Sequence, residues 1–406
     1  MKKSLEKKIK QEENRKRAAA KPVKGSIDWV LVMIVLALLV FGLVMLYSAS
    51  SYEASIKFHN PSYYVVKQLI STVIGLVVMA VVALIPHKFF EKIAILVYLV
   101  AVAAMILVKT PLGLEANGAY RWIDLKFVTV QPSEIMKVAL VLVLAMLLSR
   151  YVNYLGDIKM YLIVMGLCVV AVALTVFITD DLGTGIIMFA MGFIMIFVAS
   201  KKIRYLIITL VVFLAGGVSY VLLRSTKRVR VQAWLNLDKY ADDIGYQITQ
   251  ALYAIGSGGL LGKGLGKSTQ KLGFVPESEN DMIFSIICEE LGIIGGIILI
   301  ALVALLLWRM KKIFDSAADL YGKIVVAGVA AHIAIQTFLN IAVVTNLLPN
   351  TGVPLPFISY GGTAVIFLLI EIGLVLSVSR VHAPTVEEKR MSYYEQDRER
   401  EASYYQ

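Results

Sequence analysis

Charge is scarce in this chain. Only 17% of its 406 residues are Asp, Glu, Lys or Arg, against roughly 25% in soluble domains. Hydrophobic residues make up 58%, and the mean hydropathy is +0.75. A water-soluble core cannot absorb that surplus, so much of it must face lipid. Cysteine is nearly absent. Cys168 and Cys288 both sit inside apolar runs, which excludes a disulfide framework and a zinc spacing. No cleavable secretion signal is evident, because the basic start runs on to Lys24 and the first apolar run is long enough to span. No internal repeat is visible. Acid is the rarer charge: 29 Asp and Glu stand against 40 Lys and Arg, a net charge of +11. Where that excess lies decides what it means.

What the sequence has is long apolar runs. Stretches of about 17–25 residues fall near 28–48, 67–86, 91–108, 133–150, 160–178, 183–200, 203–224, 281–307, 321–345 and 359–380. The expected fold is all-α: a polytopic membrane protein with about ten transmembrane helices in one bundle. Residues 1–26 form a basic tail, 27–381 the membrane domain and 382–406 a charged tail. Residues 1–26 carry ten Lys and Arg, which predicts a cytoplasmic N-terminus. Ten spans return the C-terminus to the same side. The short loops agree, with Lys88, Lys92, Lys201, Lys202, Arg204, Arg309, Lys311 and Lys312 all inside. The tally is 26 Lys and Arg inside, 13 outside and Lys137 within a span.

This topology places residues 225–280 outside, as a large extracellular loop between spans seven and eight. Loops above roughly 12–15 residues are usually functional or disordered. Trp234, Leu237, Tyr240, Tyr246, Leu252 and Tyr253 predict that this one packs, with a short amphipathic helix over Tyr246–Ile255.

Ionisable groups in a bilayer cost from about 2.5 kcal/mol upward, so each needs a partner or a purpose. Lys137 lies about one turn into the fourth span, three residues after Glu134 on the same face. Asp180 and Asp181 lie between spans five and six at similar depth. A Lys137–Asp181 ion pair is therefore expected, either structural or part of a site. Asp281 opens the eighth span, with Asn280 as the expected N-cap. The helix dipole would lower its pKa and burial would raise it. Glu289 and Glu290 lie two turns deeper and are expected to hydrogen-bond loops or neighbouring helices. His332, Gln336 and Asn340 recur every four residues, as an interhelical hydrogen-bonding stripe. Glu371 reads as structural.

Residues 256–268, GSGGLLGKGLGKS, imitate a phosphate loop but carry Leu261 where the motif needs glycine. They also fall outside, away from ATP, so nucleotide binding is rejected. The outside cations are the informative ones. Arg224, Lys227, Arg228, Arg230, Lys239, Lys263, Lys267 and Lys271 crowd one region, joined by Arg121 and Lys126. They suit an anion at the outer leaflet, such as a lipid-linked pyrophosphate, and not a nucleic acid.

Six stretches carry a resemblance. They are AYRWIDL (119–125), QPSEIMK (131–137), DLGTG (181–185), QITQALYAIGSGGLLGKGLG (247–266), FVPESENDMIFSIICEELG (274–292) and NLLPNTGVPLPFISYGG (346–362). In this order they resemble the SEDS family (shape, elongation, division, sporulation) of RodA, FtsW and SpoVE, closer to the FtsW/SpoVE branch. The resemblance covers roughly residues 27–381. It implies a peptidoglycan glycosyltransferase of the bacterial cytoplasmic membrane, polymerising lipid II at the outer face for division, cell shape or sporulation. It places the family's essential aspartate on Asp281, its QPSE-x-x-K residues on Glu134 and Lys137, and its PDLGT aspartate on Asp181. Two departures stand out: Asp180 replaces the usual proline, and Asn280-Asp281-Met282 replaces Thr-Asp-Phe. The implied chemistry uses Asp281 as general base, with Lys137, Asp181 and Glu134 as a supporting ion-pair group. Arg121, Lys263, Arg224, Arg228 and Arg230 are the candidate pyrophosphate ligands. No metal-ligand cluster is readable, which leaves Mg or Mn as an optional aid. The implied partners are lipid II, a class B penicillin-binding protein and other divisome or elongasome membrane proteins.

Two competing readings fit some of the same residues. A lipid II flippase would also use polar spans and a basic mouth. A non-catalytic division scaffold would leave Lys137 and the Asp281 motif without a purpose.

Overall fold

The computed structural model describes residues 23–116, 118–124, 129–200 and 203–382. The chain enters through a short strand β1 (Val23–Lys24) and the helices α1 (Trp29–Phe58), α2 (Tyr63–Leu84) and α3 (His87–Leu107). A small antiparallel sheet follows, β2 (Gly113–Ala116), β3 (Ala119–Asp124) and β4 (Thr129–Val130), in the order β2-β3-β4. Then come α4 (Pro132–Arg150), α5 (Ile158–Ala173), α6 (Leu182–Ala199), α7 (Ile203–Leu223), α8 (Ser225–Leu235) and α9 (Tyr246–Gly258). The chain ends with α10 (Ile283–Ser316), α11 (Leu320–Val344), α12 (Gly362–Ser379) and β5 (Val381–His382), which pairs with β1.

Ten of these helices, α1–α7 and α10–α12, are long and apolar enough to cross a membrane. That matches the ten expected spans. Two differ in extent: α1 runs ten residues beyond 48, to Phe58, and α10 runs on to Ser316. The expected loop 225–280 is about half helical, holding α8, a 3-10 turn at Leu237–Tyr240, and α9 over the predicted amphipathic stretch.

Aspartates start four of the helices. Asp28 accepts from Leu31 N, Asp157 from Lys159 N, Asp181 from Thr184 N and Asp319 from Gly322 N. Each satisfies a backbone donor that would otherwise be orphaned at a helix start. Asn280 does not do this for α10: that helix begins after Met282, and the Asn280 amide donates to Glu277 instead.

Burial is uneven. In α4, 83% of the spanning window is buried, while in α7 it is 6%. Helix α4 packs against α3, α5, α6, α11 and α12, whereas α7 packs mainly on α6 and α8 and meets α5 through Tyr161, whose hydroxyl lies 2.7 Å from Thr209 Oγ1. Small residues permit close helix approach: a Cβ at Gly373 on α12 would lie 2.8 Å from Met79 O on α2. The long helix α10 is broken at Gly292 (φ 71°). There the segment after α9 hydrogen-bonds into it, Lys263 N to Glu289 O (2.9 Å) and Ile293 N to Gly259 O (3.0 Å). A Cβ at Gly292 would lie 2.2 Å from Leu260 O, so only glycine permits this joint.

Candidate active site

Asp281 lies in the turn just before α10, only 8% exposed. Its Oδ1 accepts from Gln247 Nε2 at 3.3 Å, a long bond, and its backbone oxygen accepts from Asn340 Nδ2 at 2.7 Å. Burial pushes the carboxyl up to about 7, helped by the like charge of Glu277 and opposed by a backbone hydrogen bond, Arg230 and Gln247. Of the two pulls anticipated at this position, burial wins. The missing cap explains part of that, because Asp281 sits outside the first turn of α10.

Asp281 faces a cavity of about 770 Å³. Glu134, Lys137 and Asp181 line the same cavity, as do Arg121 and Arg230. Sequence positions from 121 to 281 therefore converge on one space. Part of its wall is apolar. Ile70 and Ile74 of α2 line it while exposing 55% and 48% of their surface, so the cavity reaches the lipid-facing side of the bundle.

Lys137 is 2% exposed and pairs with Glu134 Oε1 at 2.9 Å, one helical turn away. It also donates to Gln336 Oε1 at 3.2 Å. The expected Lys137–Asp181 ion pair is not formed. Asp181 is occupied locally, accepting from Thr184 N (2.9 Å) and Thr184 Oγ1 (2.8 Å) at the start of α6. Helix geometry supplied Lys137 with a nearer acid. Gln336 Nε2 donates to Pro354 O, which turns Oε1 toward Lys137 and toward His332 Nε2 (2.7 Å). His332 Nδ1 in turn meets Glu371 Oε2 at 2.6 Å.

The candidate pyrophosphate ligands divide. Arg121 lines the cavity, held by Thr179 O and Asp180 O. Arg230 lines it too and makes no ion pair or side-chain hydrogen bond among the described residues. Lys263 does not reach it. Its ammonium lies 2.6 Å from Glu289 Oε1 in the joint with α10, so its charge is already neutralised. Arg224 sits over the Tyr220 ring at 5.9 Å, and neither it nor Arg228 lines the cavity.

Asp180 takes a left-handed backbone (φ 51°) where a proline is usual in the resembled motif. Its carboxylate accepts from Lys227 Nζ (3.0 Å) and Tyr220 Oη (3.1 Å). Burial would raise it, but Lys227, Tyr220 and Arg121 together hold it below the usual carboxylate range. This one residue ties α7 and α8 to the turn beneath Arg121.

Sequence reasoning missed Glu279, Gln247 and Asn350. Glu279 is 6% exposed and lines the cavity. Burial lifts it to about 8, against a backbone hydrogen bond and with help from Glu53 and Glu277. Its position two residues before Asp281 was the available signal. Gln247 and Asn350 bond each other at 2.7 Å beside Asp281. Both stand in stretches that carry the family resemblance, 247–266 and 346–362, which was the available signal. Among the described residues, no group of three His, Cys, Asp or Glu side chains is arranged to hold a metal ion.

Comparison with known proteins agrees with this architecture. The FtsW/RodA/SpoVE family model, described as cell cycle protein, matches residues 28–383. Stage V sporulation protein E of Bacillus subtilis (strain 168) is 38% identical over 359 residues, covering 88% of this chain and 98% of that protein. A probable peptidoglycan glycosyltransferase FtsW of Geobacter sp. (strain M18) is 34% identical, covering 87% and 96%. Among solved structures, a chain of a peptidoglycan synthase complex that coordinates polymerization and crosslinking superposes with a TM-score of 0.74 at 27% identity, covering 87% of this chain and 98% of that one. The rod shape determining protein RodA of Thermus thermophilus gives 0.65 at 26%, covering 87% and 97%. The motifs and the fold thus point the same way, and the chain belongs to the FtsW/RodA/SpoVE family, on its FtsW/SpoVE side.

Proposed function

We propose that this chain is a peptidoglycan glycosyltransferase that joins lipid II units into β-1,4 glycan. One observation carries the reading: a buried carboxyl raised to about 7, Asp281, faces a cavity that also holds two arginines and opens between apolar side chains on the lipid side. A substrate with sugars, a pyrophosphate and an isoprenoid tail needs these three environments together.

In this mechanism Asp281 takes the proton of the acceptor 4-hydroxyl. The oxygen attacks the anomeric carbon of the donor, and the bond from that carbon to the pyrophosphate oxygen breaks. The electron pair leaves with undecaprenyl pyrophosphate, and inversion converts an α-linked donor into a β-linkage. Arg121 and Arg230 oppose the charge that grows on the leaving group. Lys137, neutralised by Glu134 and directed by Gln336, presents donors to the substrate at the cavity wall. Both termini lie in the cytoplasm of a bacterium by the distribution of Lys and Arg, so the cavity opens outward. A class B transpeptidase is the partner that would cross-link the strand, within the division or elongation machinery.

The test is polymerisation of labelled lipid II by the purified chain in nanodiscs, with and without that transpeptidase and with and without Mg or Mn. Wild type makes glycan, and Asp281→Asn lowers the rate about a hundredfold or more. Equal rates remove Asp281 from its role. Lipid II crossing proteoliposome membranes without any glycan product favours a flippase.

A further inference from the structure

A second cavity, of about 500 Å³, lies between α8, α9 and the segment after α11. That volume falls in the roughly 300–1,000 Å³ range of small-molecule sites. It is separate from the first but shares three wall residues with it: Arg230, Gln247 and Asn350. The partition is the Gln247–Asn350 hydrogen bond, and Gln247 also touches Asp281. Whatever fills the second cavity therefore ends beside the candidate base.

Its walls have a specific chemistry. Trp234 offers an indole ring whose N–H is held by Asn346 O at 3.0 Å. Around it stand the hydroxyls of Ser225 and Thr226, for which the described residues provide no hydrogen-bond partner, and the free guanidinium of Arg230. Val229, Ala233, Leu237, Ile244 and Ile248 make much of the remaining wall aliphatic. An apolar wall with a flat ring, edged by two hydroxyls and a guanidinium, suits a pyranose, which has an apolar C–H face and an equatorial rim of hydroxyls. The cavity's helices α8 and α9 are not spans. The isoprenoid tail has its own apolar exit past Ile70 and Ile74 in the first cavity. With the tail placed there, these mixed apolar and polar walls are left for a sugar.

We propose that the second cavity is a saccharide subsite that holds the growing glycan strand next to the reacting sugar. The inference rests on the glycosyltransferase reading and adds to it a place for the strand outside the reaction cavity. Arg230 and the Gln247–Asn350 pair form the threshold between strand and chemistry.

The experiment uses the full chain in nanodiscs and a lipid-free peptidoglycan tetrasaccharide, with binding followed by intrinsic tryptophan fluorescence and by thermophoresis. The wild type binds it. Trp234→Ala weakens binding about tenfold or more by removing the stacking face. Trp234→Phe keeps a ring without the N–H and restores most of the affinity. Thr226→Tyr, on the exposed side of α8, fills the cavity without touching the bundle and also blocks binding. Asp281→Asn still binds, which separates strand holding from chemistry. No binding by wild type, equal binding by Trp234→Ala and Thr226→Tyr, or equal binding of the stem peptide alone overturns the proposal. The lipid II assay is run in parallel: polymer made without tetrasaccharide binding overturns the subsite alone, and absence of polymer overturns the glycosyltransferase reading.

Discussion

Four acids within twelve residues meet opposite fates. Glu289 and Glu290 are 0% exposed and saturated with donors. Glu289 accepts from Lys263 Nζ, Ser268 Oγ, Thr269 N and Oγ1, and Gln270 N. Glu290 accepts from Lys271 Nζ (2.7 Å), Ser48 Oγ (2.7 Å) and Ser268 N (3.3 Å). Asp281 and Glu279 are buried almost as deeply, yet beside one backbone hydrogen bond each, Asp281 has a single long side-chain donor, and Glu279 has Ser278 Oγ at 3.5 Å and another acid, Glu53, as its side-chain partners. Burial alone does not make an acid functional. A buried acid with all its lone pairs filled is an anchor, holding residues 259–271 to α10. A buried acid left short of donors and facing a cavity holds its proton more tightly and is available for chemistry.

The largest effect expected from this contrast is on stability. Glu290→Ala leaves the Lys271 ammonium buried without its acid, so it should cost about 3–5 kcal/mol and lower the thermal unfolding midpoint in detergent. Asp281→Asn should leave that midpoint unchanged or raise it. The sign follows from linkage. The folded pKa of about 7 lies above the ordinary value, so the protonated carboxyl is the form that folding favours. Its contribution is present at low pH and lost as pH rises through about 7. The wild type should therefore fall behind Asp281→Asn as pH increases.

Next in size is coupling across α4. A double-mutant cycle on Lys137 and Glu134 should give about 1–3 kcal/mol, since both are buried and paired. Lys263→Met should cost only about 1 kcal/mol, because that lysine is partly exposed and Glu289 keeps its other donors. The smallest is Lys137 with Asp181, where the cycle should close within about 0.5 kcal/mol. A large value there would restore the pair that the sequence suggested.

The ten spans were legible because apolar length reports directly on bilayer thickness. Asp281, Glu134, Lys137 and Asp181 stood out because ionisable groups near spans are costly. Their shared cavity was not readable, since it depends on how eight helices and the loops between them come together. The Lys137–Asp181 pairing failed on a local detail: Asp181 is used by the backbone of its own helix start. Lys263 misled for a similar reason, because its charge was visible and its partner Glu289, twenty-six residues on, was not. Gln247 and Asn350 have no distinguishing chemistry until the fold sets them beside Asp281.

The pH dependence of kcat/KM for lipid II polymerisation tests the central claim most directly. If Asp281 is the general base, the rate rises with pH, bends at about 7 and levels off above it, because only the ionised carboxylate accepts the proton. The bend should persist in Glu279→Gln, which removes the neighbouring acid that burial also holds above the usual carboxylate range. A rate that stays flat from about pH 5 to about pH 9, or a bend that disappears with Glu279 while Asp281→Asn remains active, would contradict the account.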